Sequence, residues 1–237
     1  MTRRRWIADE ASGNQAALTG EHADHLIRVL RARVGQEFDI ATGQAVRRGR
    51  VTSIAERRIE FELEEELPAG APIQLTLLLA VFKFDRMEWA IEKCTELGVS
   101  EIVPVISRRT DTHLAAAVAK RAERWRRIAQ QASEQSRRSA PPDIAAPLNL
   151  SEAIGFEADL RIVLAESEQK TLLREILNQT HADQKIVLAV GPEGGWTDDE
   201  LELFEKTGWI SASLGNTILR AETAAIAAAA IVISELT

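Results

Sequence analysis

The run Ile186-Val187-Leu188-Ala189-Val190 is unbroken and apolar, and a glycine-rich corner, Gly191-Pro192-Glu193-Gly194-Gly195-Trp196, follows it at once. A run of that length and β-branched content suits a strand buried on both faces, which restricts the chain to a sheet covered on both sides. Thr197-Asp198-Asp199-Glu200 is a T-x-x-E capping box, so a helix starts there, runs to about Lys206 and ends at Gly208. The chain returns as a short strand over 209–214. Strand, glycine corner and helix in this order resemble a nucleotide-binding turn, yet the pattern is neither a P-loop nor G-x-G-x-x-G. Asp198, Asp199 and Glu200 would also oppose an anion at a helix N-terminus that otherwise attracts one. A neutral or cationic ligand read by backbone groups fits better, and so, for the corner taken alone, does a tight turn with no ligand.

The same alternation runs through the rest of the C-terminal part. Residues 73–81 read as a buried strand, and a helix opens at 83–89 with Asp85 as its cap, Met87, Ile91, Cys94 and Leu97 as its apolar stripe and Gly98 as its end. A strand over 101–106 precedes a long helix, 115–139, with Val118, Trp125, Ile128 and Ala132 on one side and Pro141-Pro142 as its stop. A strand at 160–165, a helix near 171–179 and an Ala-rich helix at 225–236 complete an α/β class with a parallel sheet. Residues 1–66 differ. Thr19 caps an expected helix over 21–33, with Leu26, Val29 and Leu30 inward and Arg28 and Arg31 outward. Phe38 and Ile40, then Ile59, Phe61 and Leu63, alternate with polar residues as half-buried strands do. Leu67-Pro68-Ala69-Gly70-Ala71-Pro72 reads as a linker between domains at 1–68 and 73–237.

A net charge of -7 over 237 residues does not mark a nucleic-acid binder, so local clusters carry that question. They are Arg47-Arg48-Gly49-Arg50, the helical run 120–127, and Arg137-Arg138; for any one of them a solvated face is the plainer reading. The basic start, Met1 to Trp6, lacks the apolar run of a signal peptide, no stretch reaches membrane-spanning length, and the single Cys94 excludes an internal disulfide framework, so a cytoplasmic location is expected. Cys94 on its apolar stripe reads as core. His22 and His25 have no metal-ligand spacing, and no metal is expected.

After the corner comes Leu214-Gly215-Asn216-Thr217-Ile218-Leu219-Arg220-Ala221-Glu222-Thr223-Ala224. G-P-E-G-G-W followed by L-G-N-T-I-L-R-A-E-T-A resembles the paired C-terminal motifs of the bacterial 16S ribosomal RNA (uracil-N3)-methyltransferases, a branch of the SPOUT (α/β-knot) superfamily. The ribose-methylating branch has a different second motif, S-L-N-V-S, absent here. H-L-I-R-V-L-R at 25–31, K-F-D-R-M-E-W-A-I-E-K-C-T-E-L-G-V at 83–99 and E-Q-S at 134–136 are similar to further motifs of the same family. The extra N-terminal arginines and Asn216-Thr217 depart from its pattern and leave local RNA contacts open.

The resemblance implies an N-terminal PUA-like β-barrel that holds RNA, a C-terminal trefoil-knotted methyltransferase domain, and S-adenosylmethionine as methyl donor. It implies a cofactor pocket where three strand ends meet: Leu164, Ala165 and Glu166; Gly191, Glu193, Gly194 and Gly195; Leu214, Gly215, Ile218 and Leu219. Catalysis would fall to Arg220, as a donor to the developing uracilate, and to a base among Glu193 and Glu222, with Asp85 and Glu134 as weaker candidates. RNA contacts would come from Arg4, Arg28, Arg31, Lys83, Arg86, Arg137 and Arg138. The implied partners are 16S rRNA, or the assembled small ribosomal subunit, and a second copy of the chain docked through 224–233, with Ala228 or Ala229 facing it. The residues also leave room for an inactive RNA-binding dimer or for methylation at another RNA position.

Overall fold

A computed structural model of the chain describes residues 5–43, 45–67 and 73–236, so Arg4 and most of the expected linker lie outside the described residues. The chain divides into two compact units, residues 1–71 with 133–140, and residues 72–132 with 141–237. The segment 133–140 thus belongs to the first unit although its neighbours in sequence belong to the second.

The first unit is built on β1 (Arg5–Ile7), β2 (Glu10–Ser12), β3 (Gln15–Thr19), α1 (Gly20–Asp24), β4 (Glu37–Ala41), β5 (Val46–Ala55) and β6 (Arg58–Leu67). Its six strands pair in the order β1-β4-β5-β6-β3-β2, antiparallel except for β1 on β4. The path is open, with β1 and β2 at its ends. Period-two alternation sends Phe38 and Ile40, and Ile59, Phe61 and Leu63, into one core with Trp6, Leu18 and Leu26. Gly49 is required there: a Cβ would stand 2.4 Å from Ile40 Cγ1, at a register shift between β5 and β6.

The expected helix over 21–33 is shorter. After α1 a π-helical turn, His25–Val29, widens the register, and Arg31 turns left-handed at φ 53°. The buried stripe therefore runs through Ala23 and Leu26, with Ile27 and Leu30 half-buried, while Val29, expected inside, is 63% exposed. Nor does the Thr19 side chain cap α1; its backbone N–H donates to Asp9 Oδ2 at 2.7 Å.

The second unit carries β7 (Leu75–Ala80), α2 (Phe84–Leu97), β8 (Glu101–Ile106), α3 (Thr112–Ala117), α4 (Ala122–Ser136), β9 (Asp143–Ile144), β10 (Leu148–Asn149), α5 (Leu150–Ala153), β11 (Leu160–Leu164), α6 (Leu173–Leu177), β12 (Ile186–Val190), α7 (Asp198–Lys206), β13 (Ile210–Ala212) and α8 (Ala221–Leu236); the last turn of α4 falls in the first unit. All strand pairs are parallel, in the order β10-β8-β7-β12-β11-β13, with β9 also on β8. Both faces are covered. Leu75, Leu77 and Leu79 with Ile186, Leu188 and Val190 point into one core with α2 and α8, while Leu78, Ala80, Val187 and Ala189 point into another with Trp196, Phe204 and Trp209. At about 1.5–3 kcal/mol per fully buried aliphatic side chain, this double burial sets the position of β7 and β12.

Two helix expectations change. Asp85 is not a cap; Lys83 occupies that position without a side-chain bond. The long helix over 115–139 breaks into α3, a 3-10 turn at Val118–Arg121, and α4, which ends at Ser136 because Arg137 turns left-handed at φ 62°. On α8, Ala225, Ala228, Ala229 and Val232 are buried within the chain itself, so neither Ala228 nor Ala229 is free to face a partner. On this helix Thr223, Ser234 and Glu235 are exposed, and Ala224, Ile226, Ala227, Ala230, Ile231 and Ile233 are half-buried.

Candidate functional site: a cleft at three strand ends

Neighbouring parallel strands β12, β11 and β13 finish at the same edge, and the loops that leave them enclose a cleft of about 750 Å³. Carboxyl ends of adjacent parallel strands are where α/β folds leave room for a ligand. The loop after β11 brings Leu164, Ala165 and Glu166; the one after β12 brings Gly191, Glu193, Gly194 and Gly195; the one after β13 brings Leu214, Gly215, Ile218 and Leu219. All eleven positions named from sequence thus line one cleft, with Ile218 at the rim, 81% exposed.

The corner's shape follows from its residues. Gly195 sits at φ 69°, which L side chains rarely adopt, and a Cβ there would stand 3.8 Å from Glu166 Cδ and 3.9 Å from Arg109 Nη1. Trp196 folds back over Gly191, leaving a Cβ there only 3.2 Å of room, and stacks edge-on against Phe204, which does the same with Trp209. Beyond it the capping box forms: Glu200 N–H donates to Thr197 Oγ1 at 3.3 Å and Thr197 N–H to Glu200 Oε2 at 2.8 Å. Such a cap stabilises a helix by about 1 kcal/mol. Glu200 is buried, and its other oxygen accepts the Arg108 N–H at 2.7 Å, tying the loop after β8 to the start of α7.

That loop delivers a residue the sequence did not single out. Arg109 lines the cleft, and its Nη1 donates to the carbonyls of Gly194 and Trp196. Nothing local marks it, since its partners are backbone oxygens more than 80 positions away. Asp198, Ser213 and Asn216 also line the cleft.

Beside the corner, Arg86 on α2 places Nη1 3.6 Å from Glu193 Oε1 and 3.4 Å from Glu222 Oε1. Both carboxylates named as candidate bases therefore share one guanidinium. Arg220, just before α8, is exposed, and its side chain bonds none of the described residues. Asp85 is exposed beside Lys83, while Glu134 sits in the first unit, 3.1 Å from His22 Nε2, and does not join the cleft residues.

A sequence model of the RNA methyltransferase domain matches residues 69–233, the stretch that holds every element of this cleft. The chain belongs to the RNA methyltransferase family. It is 35% identical to ribosomal RNA small subunit methyltransferase E of Synechocystis over 87% of this chain and 69% of that protein. Its counterpart of the same name in Aquifex aeolicus is 31% identical, over 97% of this chain and 98% of that one. Among solved structures, ribosomal RNA small subunit methyltransferase E of Neisseria gonorrhoeae bound to S-adenosyl methionine superposes with a TM-score of 0.85 at 30% identity, covering 99% of this chain and 98% of that one.

For an RNA methyltransferase the basic side chains need placing too. Lys83 is exposed at the start of α2, but Arg86, expected on RNA, is held by the two glutamates. In the first unit Arg28 and Arg31 are exposed, Arg28 with only a 3.7 Å contact to Asp24. Arg137 is exposed and its carbonyl accepts from Arg5, whereas Arg138 is half-buried, and burial lowers its guanidinium to about 10. The β5 cluster is spent internally. Arg47 donates to carbonyls of Gly13, Leu63 and Glu64, Arg48 lies 2.9 Å from Glu65, and Arg50 reaches Glu64 at 2.8 Å and Glu37 at 3.1 Å.

Two remaining groups are structural. Cys94 is buried in the core, where burial pushes its thiol up to about 12. His22 bridges Asp9 at 3.0 Å and Glu134 at 3.1 Å; the Asp9 hydrogen bond raises its pKa above the usual value, against the effect of burial. Among the described residues no helix is long and apolar enough to cross a membrane.

Proposed function

We propose that this RNA methyltransferase uses S-adenosylmethionine to methylate N3 of a uridine in the 16S RNA of the small ribosomal subunit. The observation that carries the reading is the cleft: three strand-end loops, glycine-lined on one side and carrying Glu166, Glu193 and Asp198 rather than a phosphate cradle. A volume of about 750 Å³ is of the size that takes a cofactor, and carboxylates at its walls suit a sulfonium cation better than an anion. Relatives that bear the name ribosomal RNA small subunit methyltransferase E, one of them solved with S-adenosyl methionine, support the same conclusion.

When bound, that cofactor supplies an electrophilic methyl group. Main-chain groups of 191–195 and 214–219, with the side chains of Leu214, Ile218 and Leu219, would hold the cofactor. The chain's own task is then to bring uracil N3 into line and remove its proton. Positioning is the larger contribution, and a general base adds on the order of 10²–10⁴-fold. Arg220, which the described residues leave unbonded, donates to the uracil oxygen on which negative charge develops, while Glu193 or Glu222 takes the proton.

We read the second unit as the trefoil-knotted domain and the first as a PUA-like RNA holder, active in the cytoplasm as a homodimer that meets its partner through the open face of α8. Light scattering at micromolar concentration should give twice the 26.2 kDa of one chain; a mass of 26.2 kDa with full activity would refute the dimer. For the reaction, deletion in the native organism followed by nucleoside analysis of small-subunit RNA should remove one N3-methyluridine. Its retention would refute the assignment.

A further inference from the structure

Glu193 and Glu222 share Arg86 but not their surroundings. The Glu222 side chain is 3% exposed and that of Glu193 40%. Glu222 Oε1 faces Arg86, while its Oε2 is closed to solvent and accepts no hydrogen bond from any described residue. Its neighbours on α8, Ala221 and Ala224, line the cleft; Glu222, one helical step round from Ala221, is not among the lining residues, whereas Glu193 is.

A buried carboxylate is costly unless an opposite charge accompanies it, and removing one member of a buried pair leaves the other uncompensated. Arg86 is the one cation among the described residues paired with Glu222. The helix N-terminus at α8 favours a negative charge there, but that effect is smaller than a buried ion pair.

Resting on the reading above, we infer that Arg86 is a positioning residue that gives the two glutamates separate duties. It fixes Glu222 as a buried counter-charge that anchors the start of α8 to α2, and it aims Glu193 at the cleft as the carboxylate that meets the substrate. The step given to Glu193 is a proton transfer: the N3–H bond of uracil breaks, an O–H bond forms on Glu193, and the electron pair stays on N3. Glu222, its free oxygen closed off, takes no part in that transfer. Because a single Arg86 nitrogen makes both contacts, a lysine, one atom shorter, restores part of the bridge where a glutamine restores none.

The test uses the full chain as Arg86→Gln, Arg86→Lys, Glu222→Gln, Glu193→Gln and the double variant Arg86→Gln/Glu222→Gln, each measured for Tm and for kcat and KM with S-adenosylmethionine and small-subunit RNA. Arg86→Gln should lower Tm by roughly 6 °C or more, and adding Glu222→Gln should recover most of that loss because no lone charge remains. Arg86→Lys should regain part of both Tm and kcat. Glu193→Gln should keep the wild-type Tm while kcat falls about 100-fold, a larger loss than any change in the KM for S-adenosylmethionine, and Glu222→Gln should cost less than tenfold in kcat. Additive Tm losses for Arg86→Gln and Glu222→Gln, or a larger kcat loss from Glu222→Gln than from Glu193→Gln, would overturn the division. A wild-type chain that does not methylate would instead overturn the proposed function and with it the duty of Glu193, while the melting cycle would still report the Arg86–Glu222 pair.

Discussion

The corner at 191–196 and the arginine-rich strand β5 are both short stretches whose composition invites a functional reading, and they end in opposite conditions. In the corner the decisive features belong to the backbone: Gly195 in the left-handed region, Gly191 beneath Trp196, and loops that open on a cleft. In β5 they belong to long side chains, all three of which are taken up by neighbouring strands, Arg47 with five donations to Gly13, Asn14, Leu63 and Glu64. A requirement on the main chain is written in the residues that meet it. The availability of a charge is decided by whatever other strands bring beside it.

The sharpest break of this comparison is Gly195→Trp. Gly195 lines the cleft at positive φ, where a Cβ already touches Glu166 and Arg109, so an indole there competes for the cleft's space and calorimetry should show S-adenosylmethionine affinity lowered at least about 100-fold. Unchanged affinity would move the cofactor elsewhere. Next in size, Arg220→Ala should lower kcat on the order of 10²-fold with S-adenosylmethionine affinity intact, because its side chain supports nothing among the described residues; a stability loss instead would make it structural.

On the other side of the comparison, Arg47→Ala should behave as a fold lesion. Removing it takes the donor from the part-buried Leu63 carbonyl and unties the exposed ones at Gly13 and Glu64, at about 1 kcal/mol, and Tm should fall while RNA affinity at fixed salt stays near wild type. Arg31→Ala, at an exposed residue, should do the reverse, weakening RNA binding a few-fold and lowering the salt slope by about 1.

The smallest effect belongs to His22. Its pKa is raised from 6.5 when folded, so its protonated form adds stability that is complete below 6.5 and is lost as pH rises through the folded value. Asp9 is held below 3.8: burial alone would raise it, but the hydrogen bonds from His22 and Thr19 outweigh that, and its contribution is present above 3.8 and lost on acidification. His22→Gln should therefore cost about 1–3 °C in Tm near pH 6 and progressively less at alkaline pH. An equal loss at both ends would mean that packing, not charge, is what the residue supplies.

Most of the second unit was legible because its strands are buried on both faces: β7, β8, β11 and β12 lie within a residue or two of their sequence expectations, as does the capped start of α7. The cleft residues were legible through the family resemblance, and they sit where β11, β12 and β13 stop. Legibility failed where side chains act over distance. Arg109 reaches carbonyls across the chain, Arg86 answers two glutamates that come from the far end of the sequence, and Glu134 pairs within the first unit with His22, which is distant from it in sequence. Local periodicity failed at 25–29, where a π turn changes the spacing on which the helix reading rests, and at 118–121, where a 3-10 turn interrupts the expected long helix. The breadth of apolar surface on α8 suggested Ala228 and Ala229 for a partner, but α2 and the sheet already cover them.

The central claim is a base methylation performed from this cleft. Purified wild-type chain, incubated with methyl-labelled S-adenosylmethionine and small ribosomal subunits from the deletion strain, should transfer label to RNA, and mass spectrometry of the digested nucleosides should find it as N3-methyluridine, with none transferred by Gly195→Trp. Label on a ribose 2′-oxygen or on another base, or the same transfer by Gly195→Trp, would contradict the account.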